Sequence, residues 1–139
     1  ARLIQHVSDR PGHDRRYAID AGHRKPLHSL AAGKAILAML PEADLTRYFA
    51  ECPRPRYTAL TVVDEAPLRA ELVKIRRDGI AEAHEEDTKG ICGLGCAAWF
   101  EGEPAGAFAV AIPEVRFDEA LNQRARAALA RASASLAGS

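Results

Sequence analysis

From Gly90 to Ile112 the chain carries two apolar runs, Gly90 to Phe100 and Ala105 to Ile112, separated by a turn around Gly102. Runs this short and this closely joined satisfy their backbone groups as neighbouring antiparallel strands, and Pro113 ends the second. A sheet of this kind must be covered by other elements, and the rest of the chain supplies helices. Between Ser29 and Leu40, residues Leu30, Gly33, Ile36, Leu37 and Leu40 recur at helical spacing, with Ser29 as the expected N-cap and Pro41 as the stop. Ala31, Ala32, Ala35 and Ala38 leave this helix with a face bare of bulk. Pro41 to Glu51 reads as a second helix. A third opens at Asp64, places Leu68, Leu72 and Ile75 at i, i+4 and i+7, and stops at Gly79 in the C′ role. A last one, Asp118 to Leu136, carries Leu121, Ala125, Ala128, Leu129, Ala132 and Leu136 on one stripe.

Arg2 to Ser8 and Tyr17 to Asp20, on either side of Pro11-Gly12, read as one more antiparallel pair. Cys52 to Leu60, with two prolines, reads as a loop; Thr61 to Val63 as a short extended piece; His84 to Lys89 as a solvated turn. Strands, helices, strands and a helix follow one another without strict alternation, so the expected class is α+β. The chain begins among strand-like residues, which suggests a piece of something longer.

Composition narrows the function. The 139 residues, 47% hydrophobic and 27% charged, suit one globular domain able to bury a core without disulfides or metal. Nineteen basic residues balance nineteen acidic ones, whereas phosphate-gripping domains concentrate a basic excess. Arg10, His13, Arg15 and Arg16, with Arg24 and Lys25, read as a solvated hairpin tip without an aromatic ladder. No apolar stretch approaches the roughly 20 residues of a membrane span. Three cysteines and no signal-like start fit reduced thiols and a cytoplasmic location.

No catalytic constellation or cofactor motif emerges, and no cofactor is expected. Gly33-Lys34 lacks the earlier glycine and the following Ser or Thr of a phosphate loop, so Lys34 is expected as an exposed or capping residue on its helix. Gly93-Leu94-Gly95-Cys96-Ala97-Ala98 fits the dinucleotide fingerprint in letters only, because strand pattern surrounds it. Cys92 and Cys96 lie four apart on a strand, about 13 Å, too far for a disulfide. His84-Glu85-Glu86-Asp87 offers consecutive donors that do not converge on one ion, so no metal is expected. His28 is expected to pack at its helix start with its ring bonded to backbone.

Pro26-Leu27-His28-Ser29-Leu30-Ala31-Ala32-Gly33-Lys34-Ala35-Ile36-Leu37-Ala38 closely resembles the signature of the IclR family of transcriptional regulators. Collinear matches follow at Thr58 and Thr61, Leu72, Ile75-Arg76, Gly79-Ile80, Glu85-Glu86, Gly90-Ile91 and Glu103-Pro104. The resemblance implies a GAF-like effector domain over residues 1–139, an antiparallel sheet flanked by helices. It would be lacking its first elements and the N-terminal winged helix-turn-helix that grips operator DNA. It further implies a homodimer or homotetramer, no membrane, and a small-molecule effector whose binding modulates the hold on DNA.

Carried over position by position, the implied lining is Ala31, Ala32 and Gly33 at the helix, Ala83, Ile91 and Gly93, then Ala109 and Ala111. His84 is added should it face the pocket. Members that bind small keto acids have Asp, Cys and Ser side chains at the positions of Ala83, Gly93, Ala109 and Ala111, and this chain has none of them. A larger or aromatic acid is therefore expected, held by backbone amides. Two alternatives stand beside sensing. One is a GAF-like thiol-dependent reductase using Cys96, the other a ligand-free dimerisation module.

Overall fold

A computed structural model describes residues 2–5 and 23–138. Strand β1 (Arg2–Gln5) pairs antiparallel with β2 (His23–Pro26), Arg2 lying opposite Pro26. The expected partner, Tyr17 to Asp20, lies outside the described residues. Helices α1 (Ala31–Met39), α2 (Glu42–Glu51) and α3 (Glu65–Asp78) follow, then strands β3 (Ala81–His84), β4 (Ile91–Phe100) and β5 (Glu103–Pro113), and helix α4 (Glu119–Ala137). The three later strands form one antiparallel sheet in the order β3-β4-β5. This is the α+β arrangement the pattern predicts.

The sheet has two unlike faces. The register sets Ala81, Gly95 and Ala109 in one row, Ala83, Gly93 and Ala111 in the next, with Ala97 opposite Ala107. Side chains alternate along a strand, so these central rows of the face are alanine and glycine. The other face presents Leu94, Cys96, Phe108 and Ile112, which pack with Ala125, Leu129 and Leu121 of α4. On the bare face α1 lies directly on the strands. A Cβ on Gly95 would stand 2.8 Å from the Ala31 carbonyl carbon and 2.9 Å from the Ala32 nitrogen. On its far side α1 packs with Leu45, Phe49, Leu68 and Leu72 of α2 and α3.

Helix boundaries follow their local chemistry. Gly79 ends α3 in the left-handed region, φ 80°, and donates its N–H to Ile75 O at 2.7 Å. Asp118 caps α4, its carboxylate accepting the Leu121 N–H at 2.8 Å. Replacing Asp118 with alanine should cost about 1 kcal/mol in urea unfolding. At α1 the expectation fails. The N-cap is Leu30, without a side-chain cap, and Ser29 instead donates its hydroxyl to Asp87 Oδ1 at 3.0 Å. Thr61 to Val63 forms no strand, and β3 is a strand that the pattern of Ala81 to His84 does not announce.

Candidate functional site

Seven of the nine expected lining residues lie on or over one face of the sheet. Ala31 and Ala32 form the first turn of α1, and this turn stands over the row Ala83, Gly93 and Ala111. A Cβ on Gly93 would lie 3.3 Å from the Ala31 Cβ. Ala31, Ala32 and Ala83 are buried, while Ala109 and Ala111 on β5 are exposed, so the bare face opens beside the helix start. Ile91 shares the parity of Gly93 and is half-buried at the end of that face.

The first helical hydrogen bond runs from Lys34 N to Leu30 O, and Leu30 offers no side chain to the preceding amides. The N–H groups of Ala31, Ala32 and Gly33 therefore point out of the helix at its positive end. What the arrangement can do is hold an anion at those amides and a flat apolar body against methyl groups and glycine.

Two of the expected residues lie elsewhere. Gly33 turns away from the sheet, where a Cβ would come 2.1 Å from Leu27 O, so it serves the close approach of α1 to the chain before it. His84 occupies the opposite face: its Nε2 is 2.8 Å from Glu82 Oε2, and its ring meets Phe117 edge-on at 5.2 Å.

Lys34 corrects the expectation most. It is fully buried, not exposed or capping. Its ammonium lies 2.5 Å from Glu86 Oε1, donates to Glu82 O at 3.4 Å, and is ion-paired at 3.0 Å with Glu71 Oε2, which accepts no hydrogen bond. Burial pushes the Glu86 carboxyl above its usual range and Lys34 opposes that shift. The other Glu86 oxygen accepts the His84 N–H at 3.3 Å. The segment between β3 and β4 is thus no solvated turn.

Thr58 and Thr61 donate their hydroxyls to Glu85 O and Glu86 O, each at 2.6 Å. Asp87 receives Lys25 and Ser29, and the Glu85 carboxylate accepts the Gly90 N–H at 2.8 Å. Sequence reasoning missed this network. One signal pointed to it: α1 is apolar all round except for Lys34, and such a helix is buried on every side.

A separate open cleft of about 580 Å³ lies between Tyr57, Leu60, Glu85, Asp87 and Lys89. Its carboxylates are those already committed to Gly90, Lys25 and Ser29. Cys92 and Cys96 are free and buried on the α4 face, and burial raises both thiols above their usual range. Thiolate chemistry is opposed there. Among the described residues no three potential metal ligands gather, and no helix is long and apolar enough to cross a membrane.

The family model of the bacterial transcriptional regulator IclR C-terminal domain matches residues 1–137. The chain is 41% identical over 96 residues to the HTH-type transcriptional regulator Rv1719 of Mycobacterium tuberculosis, covering 69% of this chain and 37% of that protein. It superimposes on the crystal structure of the Thermotoga maritima IclR with a TM-score of 0.83 and 26% identity, covering 90% of this chain and 51% of that one. An IclR homolog from Microbacterium hydrocarbonoxydans, complexed with 4-hydroxybenzoate, shares the fold, with a TM-score of 0.78 and 23% identity over 91% of this chain and 53% of its own. The chain spans little more than a third of the first of these proteins and about half of the other two. With the small-residue face and the uncapped α1 in place, the conclusion is that this chain belongs to the IclR family of transcriptional regulators, as its C-terminal domain.

Proposed function

We propose that this domain senses a small organic acid with a flat, apolar body, bound between the first turn of α1 and the open face at Ala109 and Ala111. The observation that carries the reading is the union of an α1 N-terminus without a side-chain cap and sheet rows made of alanine and glycine. Anion and ring would each find a counterpart. The hydroxybenzoate bound to the homolog from Microbacterium is an acid of this shape. The domain acts as a regulator and not as an enzyme, in line with the relatives named as transcriptional regulators. In the whole protein, a cytoplasmic homodimer or homotetramer, occupancy would change the hold on operator DNA through a segment outside this chain. By linkage, DNA would change effector affinity by the same factor.

Calorimetry tests the assignment. 3- and 4-hydroxybenzoate are expected to bind, glyoxylate and pyruvate to bind weakly or not at all. At 100 times the dissociation constant an aromatic acid should raise unfolding stability by about 2.7 kcal/mol. Ala109→Trp, an exposed position, should abolish binding while keeping the fold. Binding of the keto acids with silence toward aromatic ones would overturn the reading, as would full affinity in Ala109→Trp. A ligand-free dimerisation module predicts no shift with any acid.

A further inference from the structure

Residues 53–61 cross the chain ahead of α1 as a strap, and His28 lies beneath it with no exposed surface. Its Nε2 is 2.7 Å from Pro55 O. A carbonyl only accepts, so Nε2 carries the hydrogen and Nδ1 is left as a bare lone pair. That Nδ1 is buried and has no partner. The Tyr57 ring, also on the strap, stacks on the imidazole at 5.9 Å and 27°. The closed strap therefore accommodates a neutral ring.

We propose that His28 is an acid-sensitive latch, holding the 53–61 strap closed while its ring is neutral and releasing it when Nδ1 takes a proton. Protonation would place an N–H donor where no acceptor waits, and a charge where solvent does not reach. The surrounding charges come from every packed element. Arg54 of the strap and Lys34 of α1 oppose a cationic ring; Asp87, between β3 and β4, favours one. Asp87 is already engaged by Lys25, Ser29 and Thr88. Lys25 itself sits 5.9 Å above the Tyr57 ring, adding a second cation on that side.

Burial, the largest influence, holds the imidazole below its ordinary value. The sign follows. A depressed folded-state value gives stability that is complete above the open-state value and is lost as pH falls toward the closed-state one. Arg54 also ties the strap to Val63 O and Phe49 O, and the hydroxyls of Thr58 and Thr61, which fasten it to the β3–β4 segment, do not titrate in this range. His28 leads through Ser29 and Leu30 into α1, so release loosens the entry to that helix. The latch does not depend on the effector assignment.

Amide hydrogen exchange on the full chain tests it. Tyr57 and Thr58 donate their N–H groups to Thr61 Oγ1, which is itself fastened to Glu86 O, so their exchange follows the strap's closed arrangement. Below the ordinary imidazole value of about 6.5, their protection factors should fall by about tenfold per pH unit until the closed-state value is reached. Leu94 and Cys96 in β4 should keep their protection. In His28→Gln, whose side-chain amide can still donate to Pro55 O without titrating, the pH dependence should vanish. Flat strap protection, an unchanged slope in His28→Gln, or loss of strap and β4 protection together would each overturn the latch. Should that variant fail to fold, a nuclear magnetic resonance titration of the wild-type ring decides. A depressed midpoint coinciding with strap opening supports the proposal, and an ordinary midpoint with the strap unmoved refutes it.

Discussion

Lys34→Met is expected to lower the unfolding free energy by about 3–5 kcal/mol, the cost of leaving one partner of a buried ion pair uncompensated. Urea unfolding at neutral pH measures it. The ammonium sits where three elements meet: α1 that carries it, α3 through Glu71, and the β3 segment through Glu82 O and Glu86. Without it the Glu86 carboxylate, already pushed up by burial, loses the main charge opposing that shift.

The pH signature distinguishes this from lost packing. A carboxyl raised in the folded state gives stability below its unfolded value and loses it as pH rises through the folded one. The gap between wild type and Lys34→Met should therefore narrow on acidification toward the ordinary glutamate value. Adding Glu86→Leu should restore most of the loss, since a buried pair replaced by apolar groups is often neutral. A Lys34→Met protein as stable as wild type at neutral pH would show that the pair contributes nothing.

Gly33→Ala is expected to cost about 3 kcal/mol or more, at the upper end of overpacking penalties. Its Cβ would stand 2.1 Å from Leu27 O, and the atoms in the way are backbone, with no rotamer to yield. Gly95→Ala is the companion case, with contacts of 2.8 and 2.9 Å to the backbone of Ala31 and Ala32. The two should differ in readout. Gly33→Ala displaces α1 from the chain that precedes it, whereas Gly95→Ala lifts its first turn off β4 and should also weaken binding of an aromatic acid. Thermal unfolding with and without 4-hydroxybenzoate separates them; equal stability of Gly33→Ala and wild type would refute the packing account.

Much of this was legible in the sequence for physical reasons. Helices α3 and α4 announce themselves because Leu68, Leu72 and Ile75, and Leu121, Ala125 and Leu129, repeat at a helical period and end at proper caps. The bare face was readable too. Gly93, Gly95 and Ala97 alternate with Cys92, Leu94 and Cys96, and Ala107, Ala109 and Ala111 with Phe108 and Ile112. Strand β3 was not, since four residues with two glutamate or histidine side chains carry too little pattern. The place of Lys34 was hidden because its partner Glu86 is 52 positions away. A lysine alone on a helix is ordinarily solvated. His84 was assigned by its neighbours in the chain, but parity sets it opposite Cys92 on the α4 side.

The Lys34–Glu86 pair has one more consequence, at the border of the sheet. The bond from Glu85 N to Ile91 O sets the phase of the ladder, so the backbone groups of Glu82 and His84 face away from β4. Lys34 answers the first with its ammonium and Glu86 the second with its carboxylate. Two side chains thus act as a surrogate strand on a rim that another polypeptide could otherwise extend. Guarding such rims keeps sheet proteins from joining edge to edge. The lysine and the glutamate therefore close the outer edge of β3 as well as bracing the core.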